Sequence, residues 1–109
     1  MPELELKLPD HVSQQQLEVL KNKYKRIEIV NVEDETGLYA VIFKRPDKDI
    51  MSATLKKEKQ DEIAAAEFLY RNCMLEEDEI FKTDDLMKIN AAGRLGELFR
   101  LSKGKRQSY

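Results

Sequence analysis

The sequence predicts an α+β fold in which an N-terminal helix and a β-hairpin precede a small C-terminal bundle of two or three helices. Two runs of strand-forming residues flank the polar segment 33–37, which ends in the glycine that a hairpin turn favours. Between Pro46 and Gly93 the chain has neither proline nor glycine, a composition that favours helix. We therefore expect one domain over residues 1–104 and a flexible basic tail at 105–109.

The chain begins with a candidate strand and a helix. Three leucines alternate with charged residues over about 3–8, the period-two pattern of a strand. Ser13 followed by Gln16 has the spacing of a capping box, and apolar residues then recur at helical spacing. These patterns predict a helix over about 14–24.

The hairpin is predicted from β-branched and aromatic residues, with strands over about 27–32 and 38–44. The second of these strands carries apolar side chains on both faces. It should therefore be covered on both sides or pair with a further strand, for which residues 3–8 are a candidate.

The second half should be helical, with one interruption. An apolar face around Met51 is broken by the charged stretch 56–62, which predicts either a break or a solvated turn within one long helix. The acidic residues 76–79 indicate a loop, and Thr83 or Asp84 can then cap a last helix. That helix is expected to end near Gly104.

Composition limits the possible functions. Nineteen Lys and Arg nearly balance twenty-one Asp and Glu, so the whole molecule has no strong field to attract nucleic acid or an anionic membrane. No apolar stretch approaches the roughly 18 residues that span a bilayer. The acidic start of the chain lacks the features of an export signal, and we expect a cytoplasmic protein.

Few residues offer chemistry, and each has a structural explanation. His11 is the single histidine and fits a solvated turn, whereas Cys73 lies on the apolar face of a predicted helix, as a small core residue would. The acidic stretch 76–85 lacks the residue order of an EF-hand. We therefore expect no catalytic residue, no metal and no cofactor.

Two features of the last helix leave alternatives open. Gly93-x-x-Gly96 matches the loop by which KH domains clamp nucleic acid, but its mid-helix position favours close approach of another backbone. The basic residues that follow are either favourable charges at a helix end or an arm for an acidic or phosphate-bearing partner. They are Arg94, Arg100, Lys103, Lys105 and Arg106.

The order of motifs from 38 to 104 resembles that of tail assembly chaperones of long-tailed bacteriophages. A strand ending in an apolar-x-Arg-Pro step (41–46) is followed by a polar helix (51–62) and an alanine-rich helix ending in cysteine (64–73). An acidic loop (76–79) and a closing helix with the segment Leu-Gly-Glu-Leu-Phe (95–99) complete the order.

This resemblance implies a non-enzymatic protein of a phage or prophage, made in the host cell cytoplasm. It would coat the hydrophobic tape measure protein until tail tube subunits polymerise around it, and it would be absent from the finished virion. Relatives in this family are often also made as a longer, frameshifted product.

A protein-binding function directs attention to apolar residues of the C-terminal helices. Met51, Met74 and Met87 are suited to an adaptable groove for an amphipathic helix. The candidate contact residues are Phe68, Met74, Leu86, Met87, Leu98 and Phe99. The alternatives are a small nucleic-acid-binding or regulatory protein that uses the basic segment, and a non-catalytic enzyme subunit.

Overall fold

The structure is a computed structural model that describes residues 6–107, with side chains described for residues 6–98. It has the predicted α+β architecture: a helix, an antiparallel hairpin with a third strand, and a group of helices. The elements in chain order are α1 (Gln14–Tyr24), β1 (Ile27–Asp34), β2 (Gly37–Lys44), α2 (Lys48–Glu58), α3 (Glu62–Cys73), β3 (Met74–Glu77), α4 (Ile80–Thr83) and α5 (Asp85–Gln107).

Helix α1 begins at the predicted capping box. The Gln16 N–H donates to Ser13 Oγ at 3.1 Å, and the Ser13 N–H donates to Gln16 Oε1 at 2.8 Å. Both bonds satisfy backbone donors that have no partner within the helix. The predicted helix over 14–24 is confirmed, and Lys25, with a positive φ of 66°, is its C-cap.

A two-residue turn, Glu35-Thr36, joins β1 to β2, and Asp34 pairs with Gly37 across it. The Asp34 carboxylate accepts the Thr36 N–H and hydroxyl, each at 2.7 Å, and these bonds lower the pKa of Asp34. The expected positive φ lies at Gly37, at 149°. Both predicted strands are confirmed, with β1 two residues longer than expected and β2 one residue longer.

The third strand is the main difference from the prediction. β3 pairs antiparallel with β2, with a bulge between Ile42 and Phe43, so the sheet order is β1-β2-β3. The predicted loop over 76–79 is wrong for its first two residues, which belong to this strand. The predicted strand over 3–8 is wrong for residues 6–8, which are not strand, and residues 1–5 lie outside the described residues.

The sheet is buried on both faces, as the apolar pattern of β2 predicts. One face carries Val41 and Phe43 and packs on α3, α4 and α5 to form the main core. The other face carries Ile42, and with Val12 and Leu17 it forms a smaller second core. β2 is therefore the central strand of the sheet, and both of its faces are covered.

Helix boundaries in the second half follow local caps. Asp61 accepts the Ile63 and Ala64 N–H groups at 3.0 and 3.1 Å, so the charged stretch contains a break between α2 and α3. Asp84 accepts the Met87 N–H at 3.2 Å and caps α5, one of the two predicted possibilities. α5 continues past Gly104 to Gln107, because glycine inside a helix costs only about 1 kcal/mol.

Candidate functional site

An open groove lies between α2 and α5, with α3 at its base. α3 packs against both α2 and α5, whereas α2 and α5 hardly contact each other. The gap between them forms a groove of about 230 Å³. We call this feature the α3 groove.

The walls of the α3 groove come from one side of each helix. Lining positions recur at i, i+3, i+4 and i+7, starting at Met51 in α2, Glu62 in α3 and Ile89 in α5. This spacing is that of a single helix face. Each of the three helices therefore presents one face to the groove.

The base and one wall of the groove are built from small residues. Ala65 and Ala66 line it from α3, and Ala92, Gly93 and Gly96 line it from α5. A Cβ atom added at Gly93 would meet no atom within 4 Å, so the helix backbone faces open space there. Small side chains let the backbone of another helix approach closely, as a bulky side chain would not.

The chemistry of the groove is mainly apolar. Met51 and Leu55 line the α2 wall, and Glu58 and Glu62 place carboxylates at one end. The buried Thr54 hydroxyl donates to the Ile50 carbonyl at 2.7 Å. The arrangement suits burial of an apolar helix face.

A second cluster of polar groups centres on Asp78, which is only 3% exposed. Its carboxylate accepts the N–H of Ala40 at 2.8 Å and that of Asp10 at 2.7 Å, and it lies 3.4 Å from Lys7 Nζ. A hydrogen bond to Asp10 and the charge of Asp78 raise the pKa of Lys7. All these contacts join chain segments, so Asp78 has a structural role.

Tyr70 and Cys73 are buried in the main core. The Tyr70 hydroxyl donates to Glu77 at 2.5 Å, and burial together with this bond raises the Tyr70 pKa far above its ordinary value. Burial also raises the pKa of the Cys73 thiol to about 11. The interpretation of Cys73 as a core residue is confirmed, because its side chain is 0% exposed.

We predict that Cys73 resists thiol reagents in the native protein. At pH 8 the buried thiol is protonated and inaccessible. Because only the thiolate reacts, the native protein should react slowly. An aromatic disulfide reagent should therefore modify the native protein over hours and the guanidinium-unfolded chain within seconds. Stoichiometric labelling of the native protein within seconds would contradict this.

The same pKa shift predicts weaker folding in alkali. The unfolded thiol ionises near its ordinary pKa of 9.0, whereas the folded thiol keeps its proton up to about 11. The contribution of the protonated thiol to the free energy of unfolding is therefore fully present below pH 9 and is lost as the pH rises towards 11. Urea unfolding at pH 8 and pH 10.5 measures the loss, and the Cys73→Ser variant should lose less.

His11 lies at the surface, where its Nε2 is 2.7 Å from a carboxylate oxygen of Glu76. Across residues 6–107, no three His, Cys, Asp or Glu side chains are grouped as metal ligands would be. No helix in that part of the chain has the length and hydropathy needed to span a bilayer.

The predicted contact residues lie in different environments. Leu86 and Leu98 are exposed, at 74% and 44%. Phe68 is half-buried beneath the Lys57 ammonium group, 5.2 Å from its ring centre, and Met74 is half-buried on β3. Met87 is 5% exposed and belongs to the main core, so its side chain is not accessible in this conformation.

None of these five residues lines the α3 groove. Arg94 is exposed on α5. Phe99, Arg100, Lys103, Lys105 and Arg106 continue the α5 backbone, and their side chains lie beyond the described ones.

The alanine and glycine residues that shape the groove were missed as candidate contacts. Their signal was present in the Gly93-x-x-Gly96 spacing, which predicted close approach of a backbone. Met51, named as a possible groove residue, does line the groove.

Comparisons with models of protein families, with curated protein sequences and with solved structures find no match to this chain.

Proposed function

We propose that this chain is a non-enzymatic protein-binding protein, a tail assembly chaperone that holds the tape measure protein of a phage or prophage before the tail tube forms. The α3 groove is its binding site for apolar helical segments. The observation that carries this proposal is the separation of α2 from α5 above α3, which leaves a space lined by three helix faces.

The groove fits a helix because a fourth helix would complete the packing that α2, α3 and α5 begin. Helices pack with their axes about 8–10 Å apart, and the closer distances need small residues at the contact. Ala66, Gly93 and Gly96 provide that contact on two of the three helices. Met51 adds a flexible side chain that adapts to different partners, as a protein that binds many similar segments requires.

The resemblance supports the same function through the elements that it involves. Its apolar-x-Arg-Pro step lies at the end of β2, and its helical motifs lie in α2, α3 and α5. These three helices are also the ones that form the groove. The chemistry and the motif order therefore agree on one part of the molecule.

The test is co-expression of the full chain with the tape measure protein of the same phage or prophage. We expect the tape measure protein to become soluble and to co-purify with the chain. Gly93→Phe should fill the groove and reduce retention at least about ten-fold, while phenylalanine favours helix more than glycine does. Asn90→Phe is the matched control, because Asn90 is exposed on α5 and does not line the groove.

Two results would contradict the chaperone function. The first is failure of the tape measure protein to be retained or made soluble by the wild-type chain. The second is retention of nucleic acid with a steep salt dependence, which would favour the basic segment as the functional part. Equal retention by Gly93→Phe and the wild type would reject the groove as the binding site.

A further inference from the structure

We propose that residues 7–24 form a cover that opens as one unit, with Lys25 as the hinge, while the main core stays folded. The cover comprises the segment 7–13 and helix α1. It lies on the face of the sheet that carries Ile42, opposite the helices of the main core. Opening exposes this face without disturbing the α3 groove, so the device is independent of the proposed function.

The core beneath the cover is small. Among residues 6–98, the second core has three buried residues, Val12, Leu17 and Ile42, whereas the main core has twelve. Leu17 is the one buried residue of α1. Because hydrophobic stabilisation scales with buried apolar area, the cover should open at a much lower free energy than the main core unfolds.

Polar contacts fasten the beginning of the cover. The Asn31 carboxamide bonds both backbone groups of Lys7, at 2.9 Å each. Asp78 accepts the Asp10 N–H at 2.7 Å, and His11 lies 2.7 Å from Glu76. Asp10 and His11 are exposed, and opening admits water to the partly buried Asn31 and the buried Asp78, so water takes the place of the lost partners.

The hinge is the one strained residue of the described backbone. Lys25 has a φ of 66°, and it is the only residue other than glycine with a positive φ among those described. Its Cβ makes this conformation unfavourable, so the closed position of α1 holds this residue in a sparsely populated backbone region. Lys25 lies directly between α1 and the first turn into β1, where a rotation moves the whole helix.

Opening uncovers a continuous apolar surface. Ile27 and Ile29 of β1, Ile42 of β2 and Leu75 of β3 pack against the cover from the sheet. Ile42 is 0% exposed in the closed state. The open state therefore presents a hydrophobic sheet face, which distinguishes it from simple fraying of a helix end.

Native-state hydrogen exchange of the full chain tests the proposal. Amides of α1 should exchange through an opening that depends weakly on urea, and amides of α5 through one that depends strongly on it. Val32→Ala weakens only the main core. It should speed exchange of α5 amides about ten-fold or more and change α1 amides less than about two-fold.

Val12→Ala is the complementary variant, because Val12 belongs to the cover. This substitution destabilises the closed state relative to both the open and the unfolded states. It should therefore speed exchange at α1 and at α5 by a similar factor. If Val32→Ala speeds α1 and α5 equally, or if all amides of the wild type share one urea dependence, the molecule unfolds as a single unit and the cover does not exist.

Discussion

Replacing Phe81 by alanine is expected to lower the free energy of unfolding by about 4 kcal/mol, the largest effect of any substitution considered. Phe81 is 0% exposed and is the one buried residue of the four-residue helix α4. Its ring stacks on Tyr70, with ring centres 6.3 Å apart. So short a helix has no stability of its own, and its position depends on this side chain.

Phe68→Ala is the matched control, because Phe68 is half-buried and lies outside the main core. Its loss should be about 1–2 kcal/mol, including the contact with Lys57. Urea unfolding followed by circular dichroism measures both values. Equal losses for the two variants would show that Phe81 does not hold the main core together.

Asp78→Ala should lower the free energy of unfolding by about 3 kcal/mol. The substitution leaves the buried N–H of Ala40 and the partly buried N–H of Asp10 without their acceptor, and a buried donor without a partner costs about 1–3 kcal/mol. It also removes the buried charge that faces Lys7. The loss is therefore the sum of several broken contacts that join the sheet to the start of the chain.

Asp10→Ala is the control that measures the surface ion pair alone, without the buried contacts of Asp78. The Asp10 side chain is 84% exposed, so its ion pair with Lys7 should contribute less than about 1 kcal/mol. Asp78→Asn keeps one carbonyl oxygen as an acceptor. Its loss in the free energy of unfolding should lie between those of Asp78→Ala and Asp10→Ala. A loss below about 1 kcal/mol for Asp78→Ala would mean that water replaces the carboxylate without penalty.

Elements with local signals were predicted well from the sequence. The capping box of Ser13 and Gln16 defines the start of α1 through bonds within four residues, and Asp84 acts in the same way for α5. The apolar pattern on both faces of β2 predicted its central position, because each side chain has to be buried on the face where the pleat places it.

Elements that depend on distant residues were not predicted. β3 is four residues long and half acidic, so its sequence has too few apolar residues for a visible period. It is a strand because Met74 packs on the main core and Leu75 on the second core, after two helices have returned the chain to β2. Helix α4 was not predicted either, because its position depends on the packing of Phe81 in the main core.

The candidate site was predicted in part. Leu86 and Met87 are neighbours of similar hydrophobicity, yet their exposed fractions are 74% and 5%. Only the packing of α5 decides which of them is inside. The α3 groove likewise needs the relative positions of three helices, whereas its small residues could be recognised from Gly93 and Gly96 alone.

The position of Asp78 has a consequence for synthesis on the ribosome. The amide of Asp10 is made 68 residues before the carboxylate that accepts its hydrogen bond. At translation rates of about 5–20 residues per second, the nascent N-terminal segment waits roughly 3–14 s for that acceptor. During that interval the newly made β-hairpin lacks its third strand and the helices that cover its main-core face. Its first opportunity to aggregate therefore precedes completion of the chain.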